Sequence, residues 1–203
     1  EIIENWDAIG LRGTGSNAVK VDDVYVEPSS VFPLSRVVKG ATAPDGNYEE
    51  DYQIFNVPYL AFFLSGFPQV AIGGLERLVQ NFKEKTKGRV RIYNKNSNEK
   101  DAGSAQRTLG ELTTQLNALK AVAKEYMDKL HYYQENGIRV LEEEEREQLF
   151  AMRGYVAKTA AETATRVLIT LGGNSLYKDM HTERFVRDLL AVASHPTHLY
   201  EDA

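Results

Sequence analysis

The chain has 203 residues, enough for one substantial core or for one domain with a piece of another. A net charge of −5 supplies no basic footprint for nucleic acid, and zero cysteines exclude disulfides and thiolate metal sites. No apolar run approaches the roughly 18 residues needed to span a bilayer, so no membrane partner is expected and the cytoplasm is the expected compartment.

Residues 1–28 read as β-structure. Gly10, Gly13 and Gly15 punctuate a turn, and Val19, Val21, Val24 and Val26 then alternate as in a half-buried strand that Glu27-Pro28 stops. Residues 29–56 read as a connecting segment. Pro33, Gly40, Pro44, Gly46 and the acidic Glu49-Glu50-Asp51 suit an irregular surface path, longer than most loops.

Helical patterning fills residues 57–203. Tyr59 to Lys87 reads as one long helix that Pro68 kinks or breaks near Ser65. Gly88 to Gly103 is a polar connector carrying Arg89 and Arg91. Leu109, Leu112, Leu116, Leu119, Ala123, Tyr126, Leu130 and Tyr133 then step by three and four, the seam of an amphipathic helix with Ser104 as its cap and Gly137 as its stop. A third helix runs from about Glu142 to Leu171 and opens on four glutamates, where the helix dipole favours anions. Its Ala151, Gly154, Ala157, Ala160, Ala161 and Ala164 admit a close neighbour, and Gly172-Gly173-Asn174 ends it. Met180 to about Ser194 forms the fourth, with Pro196 beyond it. The prediction is a mainly α fold, an antiparallel four-helix bundle preceded by the end of a β-domain.

On the residues alone, Gly172-Gly173 is a helix C-cap, Arg184 and Asp188 form an i,i+4 pair, and Arg187-Asp188 is a structural ion pair at the bundle edge. His195 reads equally as a cap on the last helix or as a functional imidazole, whereas His181 and His198 read as surface residues. No pair of histidines has metal-ligand spacing, and no metal site is assigned.

The run Trp6-Asp7-Ala8-Ile9-Gly10-Leu11-Arg12-Gly13-Thr14-Gly15-Ser16, followed by a valine-rich strand, resembles the last part of the middle β-domain of the acyl-CoA dehydrogenase superfamily. That superfamily includes flavin-dependent monooxygenases of the same fold. Leu171-Gly172-Gly173-Asn174-Ser175-Leu176 and Glu183-Arg184-Phe185-Val186-Arg187-Asp188 resemble its Gly-Gly turn and its E-R-x-x-R-D helix. The resemblance covers nearly the whole chain. It implies a C-terminal fragment, inactive alone, whose N-terminal helical domain and most of whose β-domain lie outside the sequence.

It also implies a flavin site. Gly172 and Gly173 would let backbone approach the cofactor, with Arg184 following. Arg89 aligns with the arginine of an R-x-x-F-G motif that reaches the flavin pyrophosphate, although Ile92 and Tyr93 replace the Phe-Gly. A guanidinium suits phosphate because its planar fork donates two hydrogen bonds at once, and Arg91 is the second candidate.

Dehydrogenases of this superfamily need a carboxylate to abstract a proton α to the thioester carbonyl. One family position lies after the R-D helix, where the chain reads Ser194-His195-Pro196-Thr197-His198-Leu199-Tyr200. The other lies in the first long helix, where no acid stands between Val57 and Ile72. Glu76, further along, is a poor substitute. His195 after the R-D helix resembles instead the two-component monooxygenases. The resemblance implies reduced FMN or FAD from a separate flavin reductase, a small aromatic substrate and a homotetramer, with His195 able to donate a hydrogen bond or to help ionise a phenol. Two alternatives stay open: an acyl-CoA dehydrogenase or oxidase, and a helical oligomerisation module without activity.

Overall fold

The computed structural model describes residues 1–31, 56–91, 97–178 and 181–199. Most of the expected connecting segment, Ile92-Tyr93, Met180 and Tyr200 lie outside the described residues.

The helices follow the apolar periodicity. Helix α1 spans Tyr59–Phe63 and α2 spans Gly66–Gly88. The break at Leu64-Ser65 puts Pro68 in the first turn of α2, where a helix leaves N–H groups unpaired and proline's missing donor costs little. Helix α3, Gly103–Glu135, buries Leu112, Leu116, Leu119, Ala123, Tyr126, Leu130 and Tyr133, the seam read from the sequence. Its end is a Schellman motif: Gly137 has φ 63°, its N–H reaches the carbonyl of Gln134, and that of Ile138 reaches Tyr133. Ser104 is not the cap of α3. Ala102 holds that place without a side-chain bond, and Ser104 Oγ accepts from Arg91 Nη2 at 2.9 Å instead.

Helix α4, Glu143–Leu171, packs against α2, α3 and α5, and α5 spans Thr182–Ala193. The small residues of α4 make its central position possible. Ala157, Ala160 and Ala164 are fully buried against Leu75 and Leu78 of α2, Leu119 of α3, and Val186 and Leu189 of α5. Each leucine removed from water here stabilises the fold by about 1.5–3 kcal/mol. A second cluster joins Val57, Ala61, Tyr126, Leu130, Tyr133, Leu141 and Leu149 at the other end of α3 and α4. The architecture is the expected mainly helical bundle.

The β-structure is much smaller than expected. Strand β1, Ile2–Ile3, pairs antiparallel with β2, Ala18–Val19, so that Ile2 faces Val19 and Ile3 faces Ala18. A second small pair joins β3, Val90–Arg91, to β4, Ser97–Asn98. Val19, Val21, Val24 and Val26 are at least half exposed, which corrects the half-buried strand. Alternation makes a strand only where a partner accepts the ladder and a surface covers one face, and among the described residues these valines have no cover.

Candidate functional site

The turn after β1 is docked on α5. Gly10 lies so close to that helix that a Cβ would meet the carbonyl oxygen of Arg187 at 2.1 Å, so only glycine fits. Leu11, left-handed at φ 51°, sends its N–H to Asp188 Oδ1 at 2.7 Å. Arg187 donates to the carbonyl of Ile9, while Trp6 Nε1 donates to that of Leu11 at 3.1 Å. The expected Arg187-Asp188 ion pair is replaced by a fork from Arg187 to Glu183, with Nε 2.5 Å from Oε2 and Nη2 3.2 Å from Oε1. That hydrogen-bonded arginine holds the Glu183 carboxyl below the ordinary carboxylate range.

Arg89 and Gly172, far apart in sequence, come together at the C-terminal end of α4. Arg89 Nη1 donates to the carbonyl of Leu171 at 3.1 Å, and a Cβ on Gly172 would stand 3.7 Å from Arg89 Nη2. A cation here complements the negative end of the helix dipole. Gly172 adopts φ 76°, and beside it Gly173 would carry a Cβ into open space. Part of the Arg89 fork thus stays available beside exposed backbone.

Arg91 is committed differently. Its Nε and Nη2 grip both carboxylate oxygens of Glu99 at 2.8 and 2.7 Å. The hydrogen bond from Arg91 lowers the Glu99 pKa and raises that of Arg91. Glu99 N–H also donates to the carbonyl of Arg89 at 2.9 Å, so this pair closes the β3–β4 hairpin and fixes the backbone that carries Arg89.

Arg184 stands apart from both. It is largely exposed, 3.7 Å from Asp188, and lines a cleft of about 410 Å³ with Arg77, Asn81, Lys85 and His181. His195 follows the other end of α5, roughly 16 Å away at about 1.5 Å per residue.

The imidazole of His195 is exposed, and its Nδ1 accepts from Thr197 N–H at 3.3 Å and lies 2.8 Å from Thr197 Oγ1. It therefore caps the short turn Pro196–His198 and not the carbonyl end of α5. An accepting Nδ1 leaves the neutral ring with its proton on Nε2.

His198, expected at the surface, is 1% exposed. Its Nδ1 lies 2.9 Å from the carbonyl of Val192, an acceptor only, so Nδ1 carries the proton. Burial, opposed by that hydrogen bond and reinforced by the charge of Arg153, pushes the His198 pKa down. The ring of Phe67 lies 5.1 Å from that of His195 and 5.2 Å from that of His198.

Arg153 of α4 is 4% exposed and donates to Tyr126 Oη at 3.1 Å, which donates in turn to the carbonyl of Ala61 at 2.6 Å. Sequence reasoning passed over Arg153. The signal was its phase, four residues after Leu149 and four before Ala157, on the buried face of α4. His198 carried no comparable periodicity, because it follows a helix-stopping proline.

Residues 65–199 match the family described as acyl-CoA dehydrogenase, C-terminal domain. The chain is 28% identical over 200 residues to the oxygenase component of p-hydroxyphenylacetate 3-hydroxylase from Acinetobacter baumannii, covering 96% of this chain and 46% of that protein. It is 25% identical over 197 residues to a pigment production hydroxylase of Rhodococcus sp., covering 96% of this chain and 49% of the relative. The chain spans about half the length of the curated relatives it matches. Among solved structures, XiaF from Streptomyces sp. in complex with FADH2 and glycerol superposes with a TM-score of 0.86 at 19% identity, covering 99% of this chain and 50% of that one. The HsaA monooxygenase of M. tuberculosis gives 0.81 at 20% identity, covering 99% of this chain and 50% of its own. These superpositions show the fold.

Proposed function

Because the chain belongs to the acyl-CoA dehydrogenase C-terminal domain family, we propose that it forms the helical C-terminal part of an oxygenase that hydroxylates a small aromatic substrate. The oxygenase uses O2 with reduced FMN or FAD delivered by a separate flavin reductase, and works in the cytoplasm as a homotetramer. Relatives named as the oxygenase component of a hydroxylase and as a pigment production hydroxylase match over nearly the whole chain, which supports this reading.

The observation that carries it over a dehydrogenase is that the acids of α2, Glu76 and Glu84, lie exposed in surface ion pairs, and those of α5 are hydrogen-bonded. Glu76 pairs with Lys120 at 2.8 Å and Glu84 with Arg77 at 4.0 Å. Glu183 takes Arg187, and Asp188 takes the N–H of Leu11. Abstraction of a proton next to a carbonyl needs a free, positioned base. The end of α5 offers an imidazole instead.

A flavin fits these residues. Arg89 would hold a phosphate with the part of its fork not given to Leu171, its charge offsetting the negative end of the α4 dipole, and Gly172 and Gly173 leave room beside it. Arg91 keeps Arg89 in place through Glu99, and Arg184 belongs to a separate cleft. The bound reduced flavin supplies the two electrons with which one atom of O2 enters the ring and the other leaves as water. His195 Nε2–H would donate a hydrogen bond to an oxygen of the reacting groups, such as the oxygen of an ionised phenol.

The test is to give the intact protein reduced FMN or FAD, isotopically labelled O2 and a panel of phenols. Label in the hydroxylated product is the expected result. Acyl-CoA-dependent reduction of an electron acceptor would establish the dehydrogenase reading instead. Lack of saturable binding of either reduced flavin would leave an oligomerisation module.

A further inference from the structure

The turn Pro196–His198 is held from below. Two donors converge on the carbonyl of Val192 near the end of α5: the N–H of His195 at 3.2 Å and Nδ1–H of His198 at 2.9 Å. His198 N–H closes the turn onto the carbonyl of His195 at 2.8 Å. Phe67, in the first turn of α2, packs tilted at 34° against the ring of His195 and edge-on at 71° against that of His198, and the two imidazoles are 6.1 Å apart. The exposed imidazole thus rests on a buried one through a shared aromatic neighbour.

We propose that His198 and Phe67 are positioning residues for His195, holding its Nδ1 against Thr197 so that Nε2–H is the donor presented to a ligand oxygen. The catalytic meaning of this arrangement rests on the assignment of His195 to oxygen chemistry; the arrangement itself does not. His198 suits the task because it is buried and its Nδ1–H is committed to the carbonyl of Val192. Burial first, and then the charge of Arg153, disfavours the protonated ring. A ring that kept gaining and losing a proton would alternately strengthen and loosen the turn. Arg153 is itself fixed through Tyr126 to the backbone of α1, so the electrostatic setting of His198 is built into the core. Such anchoring matters because displacement of a reacting group by about 1 Å can cost about a hundredfold in rate.

The experiment follows carbethoxylation by diethyl pyrocarbonate in the intact protein, resolved by peptide mass spectrometry, with exposed His131 as the internal reference. The reagent attacks the unprotonated imidazole nitrogen, which in His195 is the Nδ1 occupied by Thr197. His195 is expected to react more slowly than His131, and faster by about fivefold or more in His198→Leu and Phe67→Ala, if the turn opens as a local unit. His198→Asn places an amide N–H near the position of Nδ1–H and should restore protection. Equal His195 reactivity in wild type, His198→Leu and Phe67→Ala overturns the proposal. Should His198→Leu fail to fold, Phe67→Ala decides alone.

A second readout is the ratio of hydroxylated product to hydrogen peroxide. His198→Leu should lower it in the native background and leave it unchanged when His195 is already alanine. Additive losses overturn the proposal. If the native protein hydroxylates nothing, the oxygenase assignment fails while the carbethoxylation result still decides the positioning.

Discussion

Asp188 Oδ1 accepts the backbone N–H of Leu11 at 2.7 Å, joining residues 177 positions apart. A carboxylate and a left-handed backbone N–H thereby dock the N-terminal turn on α5. Removing the acceptor leaves the amide unpaired, at a cost of about 1–3 kcal/mol. Asp188→Ala should therefore raise hydrogen exchange across residues 6–17 far more than across the helices, whereas Asp188→Asn, which keeps an oxygen, should do so less. Unchanged exchange in the turn would count against this docking.

Gly10→Ala should be worse. The new methyl carbon would meet backbone, which cannot rotate away as a side chain can. Overpacking of this kind costs about 1–3 kcal/mol or more. The expected outcome is a lower urea midpoint together with release of the Trp6 indole from the carbonyl of Leu11, visible as a red-shifted fluorescence.

Arg89 and Arg91 should separate cleanly. Arg89→Ala should weaken flavin binding by about 1–3 kcal/mol, the range for a charged hydrogen bond. Arg91→Lys gives up the two-point grip on Glu99 and should loosen the β3–β4 hairpin with a smaller loss of flavin affinity. Fluorescence titration of the intact protein with reduced flavin measures both. Equal losses would return Arg91 to direct phosphate contact.

The depressed pKa of His198 has a defined pH signature. Its ordinary value is 6.5, so below that pH the unfolded chain takes up a proton that the folded chain resists. Stability from this group is complete above about 6.5 and falls as pH drops toward the lower folded value. Glu99 and Glu183, held below 4.5, act in a more acidic window. Urea midpoints at pH 7.5 and 5.5 should differ more in the native protein than in His198→Asn. At the alkaline end Tyr133, pushed to about 12 chiefly by burial with Glu145 nearby, predicts loss of stability as pH rises above its ordinary 10.

His195→Ala should uncouple oxygen consumption from hydroxylation, slowing hydroxylation by roughly a hundredfold, the low end of what a positioned acid or base contributes, and lowering product yield. Hydrogen peroxide should rise in its place, with flavin affinity unchanged. A native yield in this variant would leave His195 as the cap of the turn Pro196–His198 and nothing more.

The sequence by itself determined the helices, because a period of 3.6 is written directly into residues such as Leu112, Leu116, Leu119 and Ala123, and local turns announce themselves through Gly137 and Gly172. Its family motifs also located the turn at Gly10 and the helix carrying Asp188. Tertiary structure alone decided which partner each polar group takes. Asp188 took the N–H of Leu11, Arg89 reached the carbonyl of Leu171, and His198 went inside while four alternating valines stayed out. Periodicity reports which face of one element is apolar. The fate of a charge or an imidazole depends on groups that other elements bring within about 3 Å, and chain spacing carries no record of them.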